Sequence, residues 1–251
     1  MNPHSLIGRK AAELAWFERR SFLKAAGLWT LIGGFSGALA ANRSNVVEQM
    51  GDVLLNGSRL LPQQGIEVGD QIETGPGTSL VFVLGDSAFQ VRQNSRMLVE
   101  GEVSTSPVNK LLLLAGGVVS VWRKGIQRQV VTQNLTAGIR GTGVYTEIFA
   151  NQGGRSYLCN CYGTVAVANG ADTILSESSY HQAFWGEVTP KNGRSLTPAN
   201  AINHVDEELE MLAGLIGQRT AWQIAGRKGV KDGKGYMEQQ PDEMHPAAMP
   251  K

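Results

Sequence analysis

The chain has 251 residues, which is enough for one large domain or two small ones. Its 23 basic and 22 acidic side chains give a formal net charge of +1. This balance argues against a protein that binds nucleic acid by neutralising phosphates. Glycine is abundant, with 31 residues, and only 18% of the residues are charged, which favours a turn-rich β protein over a helical bundle. The two cysteines are too few for a multi-disulfide scaffold or a four-cysteine zinc module.

The first forty residues have the layout of an export signal, with basic residues first, an apolar run next and small residues last. The apolar run, 25–40, carries no charge, and Ala38 and Ala40 occupy the −3 and −1 positions of a signal peptidase site. The basic part resembles a twin-arginine signal, which implies recognition by the twin-arginine translocase and a periplasmic location. The residues of this motif are Arg19, Arg20, Phe22, Leu23 and Lys24.

An uncleaved membrane anchor is the alternative interpretation of the same segment. The apolar run has about 16 residues, whereas a helix needs about 20 to span a bilayer. We therefore expect residues 1–40 to be removed and the mature protein to begin near Ala41. The alternative leaves the protein anchored to the inner membrane.

From residue 41 to residue 190, the sequence predicts short strands separated by turns. Asn56-Gly57 is a strong hairpin signal, because both residues accept the positive φ angles of a two-residue turn. The run 79–84 is apolar almost throughout, as in a strand that is covered on both faces. Without long helical patterns between them, such strands predict a mainly β fold, either an antiparallel β-sandwich or a short β-solenoid. The predicted strands are 53–55, 59–61, 71–74, 79–84, 88–92, 96–100, 111–114, 118–122, 129–133, 138–140, 144–149, 157–161, 164–168 and 180–185.

Several short pieces of this region stand in a characteristic order. They are 69–75 (GDQIETG), 84–87 (LGDS), 94–96 (NSR), 113–121 (LLAGGVVSV), 131–133 (VTQ) and 137–144 (AGIRGTGV). In this order and spacing, over roughly 48–167, they resemble the FecR-type domain, which is a periplasmic β module.

The resemblance implies a binding or scaffolding module whose partner is another envelope protein. The alternative is an envelope signalling component related to the iron-responsive FecR regulators, which carry a cytoplasmic anti-sigma segment before the membrane. Only about 18 residues precede the paired arginines in this sequence, and these are too few to fold as an independent cytoplasmic domain. We therefore expect the binding module rather than an anti-sigma factor.

The region 191–218 is predicted to contain one amphipathic helix. Thr197-Pro198 has the pattern of an N-cap followed by proline at the first helical position, and Asn203 is a second candidate cap. Leu209, Leu212 and Ile216 follow at helical spacing, so we expect the helix to end near Gly217 and to pack on the β domain. A free helix that binds a partner is the alternative. The remaining segment, 219–251, is mostly polar and is expected to be a disordered tail.

Signals for catalysis are weak in this sequence. It contains neither a Gly-x-Ser-x-Gly nucleophile elbow nor a His-Glu-x-x-His motif. The Cys-x-x-Cys-His motif of a covalent haem is also absent. We therefore expect a protein that is not an enzyme.

The strongest candidate site is the pair Cys159 and Cys161. Residues two apart on a strand point to the same face, so both thiols are expected on one side, with their Cα atoms about 6–7 Å apart. Two thiols on one face suit a soft or borderline ion such as zinc, iron or copper, and His181 and His204 are the candidate additional ligands. A disulfide or redox role and simple packing of buried cysteines remain the alternatives.

Overall fold

The computed structural model describes residues 44–101, 108–125 and 127–229. Within these ranges the chain is mainly β, with mostly antiparallel strands and helical structure near the C-terminus. The predicted fold class is therefore confirmed. The predicted export signal, with its arginine motif and cleavage site, lies outside the described residues, as does the tail beyond residue 229.

The described residues form fifteen strands, one 3₁₀ turn at Ala150–Gln152 and two α-helices. The strands are β1 Val46–Met50, β2 Val53–Leu55, β3 Ser58–Arg59, β4 Gln71–Thr74, β5 Ser79–Leu84, β6 Ser87–Val91, β7 Arg96–Gly101, β8 Val108–Trp122, β9 Arg128–Val131, β10 Thr136–Ile139, β11 Gly143–Phe149, β12 Arg155–Asn169, β13 Asp172–Ser178, β14 Gln182–Lys191 and β15 Arg194–Ala199. The helices are α1 Asp206–Leu215 and α2 Ala221–Ala225.

The strands build two sheets that share β8 and β12. Sheet A has the order β1-β5-β6-β8-β11-β12-β14-β15. Sheet B has the order β3-β2-β4-β7-β8-β9-β10-β12-β13. Among the described pairs, β8 with β9 is parallel and the others are antiparallel.

Two glycines let the shared strands pass from one sheet to the other. Gly116 in β8 has φ +72° and Gly163 in β12 has φ +96°. Residues other than glycine rarely adopt such backbone angles. A Cβ atom at Gly116 would lie 2.2 Å from Ser95 Oγ, and one at Gly163 would lie 2.5 Å from Thr142 Cγ2. The predicted strand pairs 111–114 with 118–122, and 157–161 with 164–168, are therefore single long strands that bend at glycine.

The apolar residues of the described chain form two clusters, one on each face of sheet A. The first cluster lies between the sheets and includes Phe82, Phe89 and Leu158. The second lies on the outer face of sheet A, where Leu209 and Leu212 of α1 pack against it. Sheet A is therefore covered on both faces, as the apolar run of β5 predicted. Neither helix of the described part has the length and apolar character needed to cross a membrane.

The predicted hairpin at Asn56-Gly57 is confirmed. Leu54 pairs with Arg59 and Leu55 with Ser58. Asn56 has φ +53° and Gly57 has φ +78°, as a two-residue turn between twisted strands requires.

The predicted start of the C-terminal helix was wrong. Thr197 and Pro198 belong to β15, where Pro198 lies opposite Phe184 and Thr197 opposite Trp185. The strand lies at the edge of sheet A, where a residue without an N–H group is tolerated. The helix begins instead at Asp206, directly after Val205.

The prediction that residues 219–251 form a disordered tail was wrong for the first residues of this segment. Residues 221–225 form α2, which Thr220 caps by accepting a hydrogen bond from the Gln223 N–H. Trp222 of this helix is buried in the second apolar cluster. A five-residue helix shows too little periodicity for sequence analysis, and Trp222 is its one buried residue.

Candidate metal centre

Cys159 and Cys161 lie on β12 and face the outer side of sheet A, beneath the C-terminal helices. Cys159 is paired with Tyr145 of β11 and with Ala183 of β14. Both thiols are fully buried in the second apolar cluster, and no disulfide joins them. The predicted arrangement of both thiols on one face of a strand is therefore present.

The two histidines approach the thiols from unusual backbone positions. His181 directly precedes β14, and its N–H group donates to the carbonyl oxygen of Cys161 at 2.9 Å. His181 has φ +53°, and Asn203, which precedes His204, has φ +61°. A left-handed conformation in a residue other than glycine is uncommon and tends to mark functional positions. Here it directs both imidazole rings towards β12.

The structure brings all four predicted ligands together. One donor atom from each of Cys159, Cys161, His181 and His204 lies within 4.8 Å of every other. Cys159 Sγ is 3.6 Å from His181 Nδ1, which is 3.0 Å from His204 Nε2. A tetrahedral ion with bonds of about 2.3 Å to sulfur and about 2.0–2.1 Å to nitrogen places sulfur and nitrogen about 3.5 Å apart, and two nitrogens about 3.3 Å apart. Both measured separations are therefore close to those in a mononuclear site.

Hydrogen bonds on the far sides of the rings orient both imidazoles. His204 Nδ1 lies 2.6 Å from the carbonyl oxygen of Ile202, which can only accept, so this nitrogen carries a proton. His181 Nε2 lies 3.0 Å from the Asp206 carboxylate and donates to it. The other two ring nitrogens, His181 Nδ1 and His204 Nε2, lie 3.0 Å apart, which is hydrogen-bond distance. A metal ion between them would replace this contact and take both nitrogens as ligands.

Asp206 is a part of the site that sequence analysis missed. Besides His181, it binds the hydroxyl group of Tyr180 at 2.8 Å and the ammonium group of Lys228 at 2.6 Å. Burial alone would lower the pKa of Lys228, but the hydrogen bond and charge of Asp206, together with the charge of Glu210, outweigh it and raise the pKa. A carboxylate that orients a ligating histidine is the usual outer partner in metal sites.

Aromatic rings enclose the cluster. Trp222 stacks on His181 with ring centroids 5.3 Å apart, and Tyr145 stacks on His204 at 5.0 Å. Burial raises the pKa of Tyr157 well above its usual value, and the charge of Cys159 raises it further. Burial also raises the pKa of Tyr162, with a further contribution from Cys161. Both phenols therefore stay neutral beside the thiols.

A buried polar network holds the segment that carries His204. Arg92, at the end of β6, forms an ion pair with Glu208 of α1. Asn203 Nδ2 donates to Glu147 at 2.9 Å, and Tyr145 Oη donates to the same carboxylate at 2.7 Å. The residues on both sides of His204 are thereby tied to sheet A.

Comparisons with known proteins give little guidance to function. The chain matches no protein-family model. It also matches no curated protein sequence. Two crystal structures of a candidate anti-sigma factor from Parabacteroides distasonis ATCC 8503 are similar at 12% and 13% sequence identity, each with a TM-score of 0.42 over 59% of this chain. The alignment spans 65% and 64% of those chains, just under two thirds of their length. Because this likeness is weak, the functional argument depends on the residues of the site.

Proposed function

We propose that this protein is a β module that binds one transition-metal ion through Cys159, Cys161, His181 and His204. The observation that supports the proposal is the convergence of two thiols with two imidazole nitrogens whose far sides are already hydrogen-bonded. Zinc, iron and copper are all bound by thiolate and imidazole ligands. The separations of Cys159 from His181 and of His181 from His204 are close to those around one tetrahedral ion, and the Cys161 donor lies within 4.8 Å of the other three.

The two alternatives for the cysteines account for less of the geometry. A disulfide between Cys159 and Cys161 would use the sulfur atoms but gives no role to the two histidines that converge on them. Packing of the thiols as small apolar groups requires neither His181 nor His204 beside them, nor a carboxylate behind one of the rings. A metal ion uses all four donor atoms together with the orientation of both rings by Ile202 and Asp206.

The sequence supports the rest of the proposal. The arginine motif and the small residues before residue 41 favour export to the periplasm, with anchoring to the inner membrane as the alternative. The FecR-like pieces favour a binding or scaffolding module that is not an enzyme, and another envelope protein as its partner. An envelope signalling component is the second interpretation of these pieces.

Metal analysis of the purified mature protein tests the metal proposal. We expect about one equivalent of a transition metal per wild-type chain, and a large loss of metal in Cys159→Ser and Cys161→Ser because each removes a thiolate ligand. Val188→Ser is the control, because Val188 is 59% exposed and is not one of the four candidate ligands. Metal-free wild type with two titratable thiols and the fold intact would refute the proposal.

Export is tested by the double variant Arg19→Lys, Arg20→Lys. We expect it to remain in the cytoplasm, because a receptor for paired guanidinium groups distinguishes arginine from lysine. The variant Arg9→Lys, which lies outside the motif, should be exported as the wild type is. Equal periplasmic yields of all three proteins would exclude the twin-arginine route.

A further inference from the structure

We infer that the ion is divalent zinc in a closed structural site, and that it fastens the segment 200–229 onto sheet A. The inference rests on the proposed function, since it names the ion and the task of the same four-residue site. Three observations support it: the enclosure of the ligands, the charges around them and their places in the chain.

The site has the features of a closed coordination sphere. All four ligand side chains are at most 1% exposed, and the rings of Trp222 and Tyr145 cover the two imidazoles. A catalytic zinc ion keeps three protein ligands and one water molecule, whereas a structural zinc ion has four protein ligands. Two cysteines and two histidines complete the structural set.

The charges at the site balance for a divalent ion. Two thiolates neutralise a charge of +2, and Asp206 is paired with Lys228 at 2.6 Å. Monovalent copper would leave one negative charge and ferric iron one positive charge, and an uncompensated buried charge is strongly unfavourable. Among divalent ions, zinc is the one most often found in tetrahedral sites of two sulfur and two nitrogen ligands.

The ligands come from parts of the chain that the ion would connect. Cys159 and Cys161 belong to β12, in the middle of sheet A, whereas His204 belongs to the segment between β15 and α1. With only ten residues, α1 is shorter than the roughly 12–15 that make an isolated helix even marginally stable in water. The helix therefore depends on its attachment to the sheet, and the ion is one attachment point.

Zinc binding is coupled to this attachment. Each thiol gives up its proton to solvent when its sulfur binds zinc, and the free energy of binding then counts towards the folded state. The cluster between the two sheets contains none of the four ligands. Loss of zinc should therefore loosen the segment 200–229 while the sandwich remains folded.

Limited trypsin digestion of the mature protein tests this inference. Arg219 lies between α1 and α2, and Arg59 lies in β3 of sheet B, far along the chain from the site. After removal of zinc by a chelator, we expect cleavage after Arg219 to become about tenfold faster or more, because local opening becomes more frequent. Cleavage after Arg59 should keep its rate. The double variant Cys159→Ser, Cys161→Ser should behave as the chelated wild type does.

The outcomes separate this inference from the proposed function. Absence of any metal in the wild type refutes the proposed function itself. One equivalent of copper or iron leaves the proposed function standing but overturns the assignment of zinc. If the wild type holds one equivalent of zinc but chelation changes the cleavage rates after Arg59 and Arg219 equally, or changes neither, the fastening role is overturned.

Asp206→Asn tests the orientation of His181 by its carboxylate. We expect zinc affinity to fall by about 10–100-fold, as for other outer partners of metal ligands, and the visible spectrum of the cobalt-substituted protein to change. Glu207→Gln, at the exposed neighbouring position, is the matched control and should keep both properties. Equal affinity and equal spectra in the two variants would remove Asp206 from the site.

Discussion

Trp222→Ala offers a quantitative test of the packing around the metal centre. Trp222 is 3% exposed, and its ring contacts His181, Tyr162 and Tyr180 with centroids 5.3–5.5 Å apart. Its indole N–H group donates to Glu210 at 2.6 Å. Truncation of a buried tryptophan to alanine lowers the free energy of unfolding by about 3–5 kcal/mol. At about 2–4 °C per kcal/mol for a chain of this size, the Tm should fall by about 6–20 °C.

Thermal denaturation of the zinc-loaded protein, followed by circular dichroism, measures this effect. Ile224→Ala is the matched control, because Ile224 belongs to the same helix but is 69% exposed; its effect should stay within about 0.5 kcal/mol. If both variants melt at the wild-type temperature, residues 221–225 do not pack on the sheet. In that case, the prediction of a disordered tail from residue 219 would regain its support.

Two further predictions concern the β-sandwich. Gly116→Ala should lower the free energy of unfolding by more than Gly77→Ala does. Both residues have positive φ, but only the new Cβ atom at residue 116 meets neighbouring atoms. Equal effects of the two variants in urea unfolding would contradict the bend in β8. Burial alone would raise the pKa of Glu187, but the hydrogen bonds from Thr197 and Lys191 and the charge of Arg155 outweigh it, so the net pKa lies below 4.5. This ionised carboxylate therefore contributes stability above pH 4.5 that is lost as the pH falls through its lowered pKa. The stability difference between wild type and Glu187→Gln should accordingly shrink below pH 4.5, and a difference independent of pH would refute this reasoning.

Local sequence signals predicted much of the sandwich. The turn at Asn56-Gly57 and the strands Gln71–Thr74 and Ser79–Leu84 were predicted with the observed bounds, because turn residues and apolar runs act locally. β13 was missed because it alternates weakly, with Leu175 63% exposed. β15 was missed because Thr197-Pro198 has the same local pattern as a helix start. Only pairing with β14 decides in favour of a strand.

Sequence analysis predicted the four candidate ligands of the site but not the residues that surround them. Cys159 and Cys161 lie two apart on one strand, so their common face follows from the period of a strand alone. Asp206 was missed, since its contact with His181 depends on how α1 lies against sheet A. The position of Trp222 over His181 also depends on tertiary packing, which no local pattern contains.

X-ray absorption spectroscopy at the zinc edge tests the central claim most directly, because it reads the ligands of the bound ion in the full mature protein. We expect one zinc ion with two sulfur neighbours at about 2.3 Å and two nitrogen neighbours at about 2.0–2.1 Å. The nitrogen neighbours should show the outer-shell scattering of imidazole rings. Coordination by oxygen and nitrogen alone, without sulfur, would contradict a site built from Cys159, Cys161, His181 and His204.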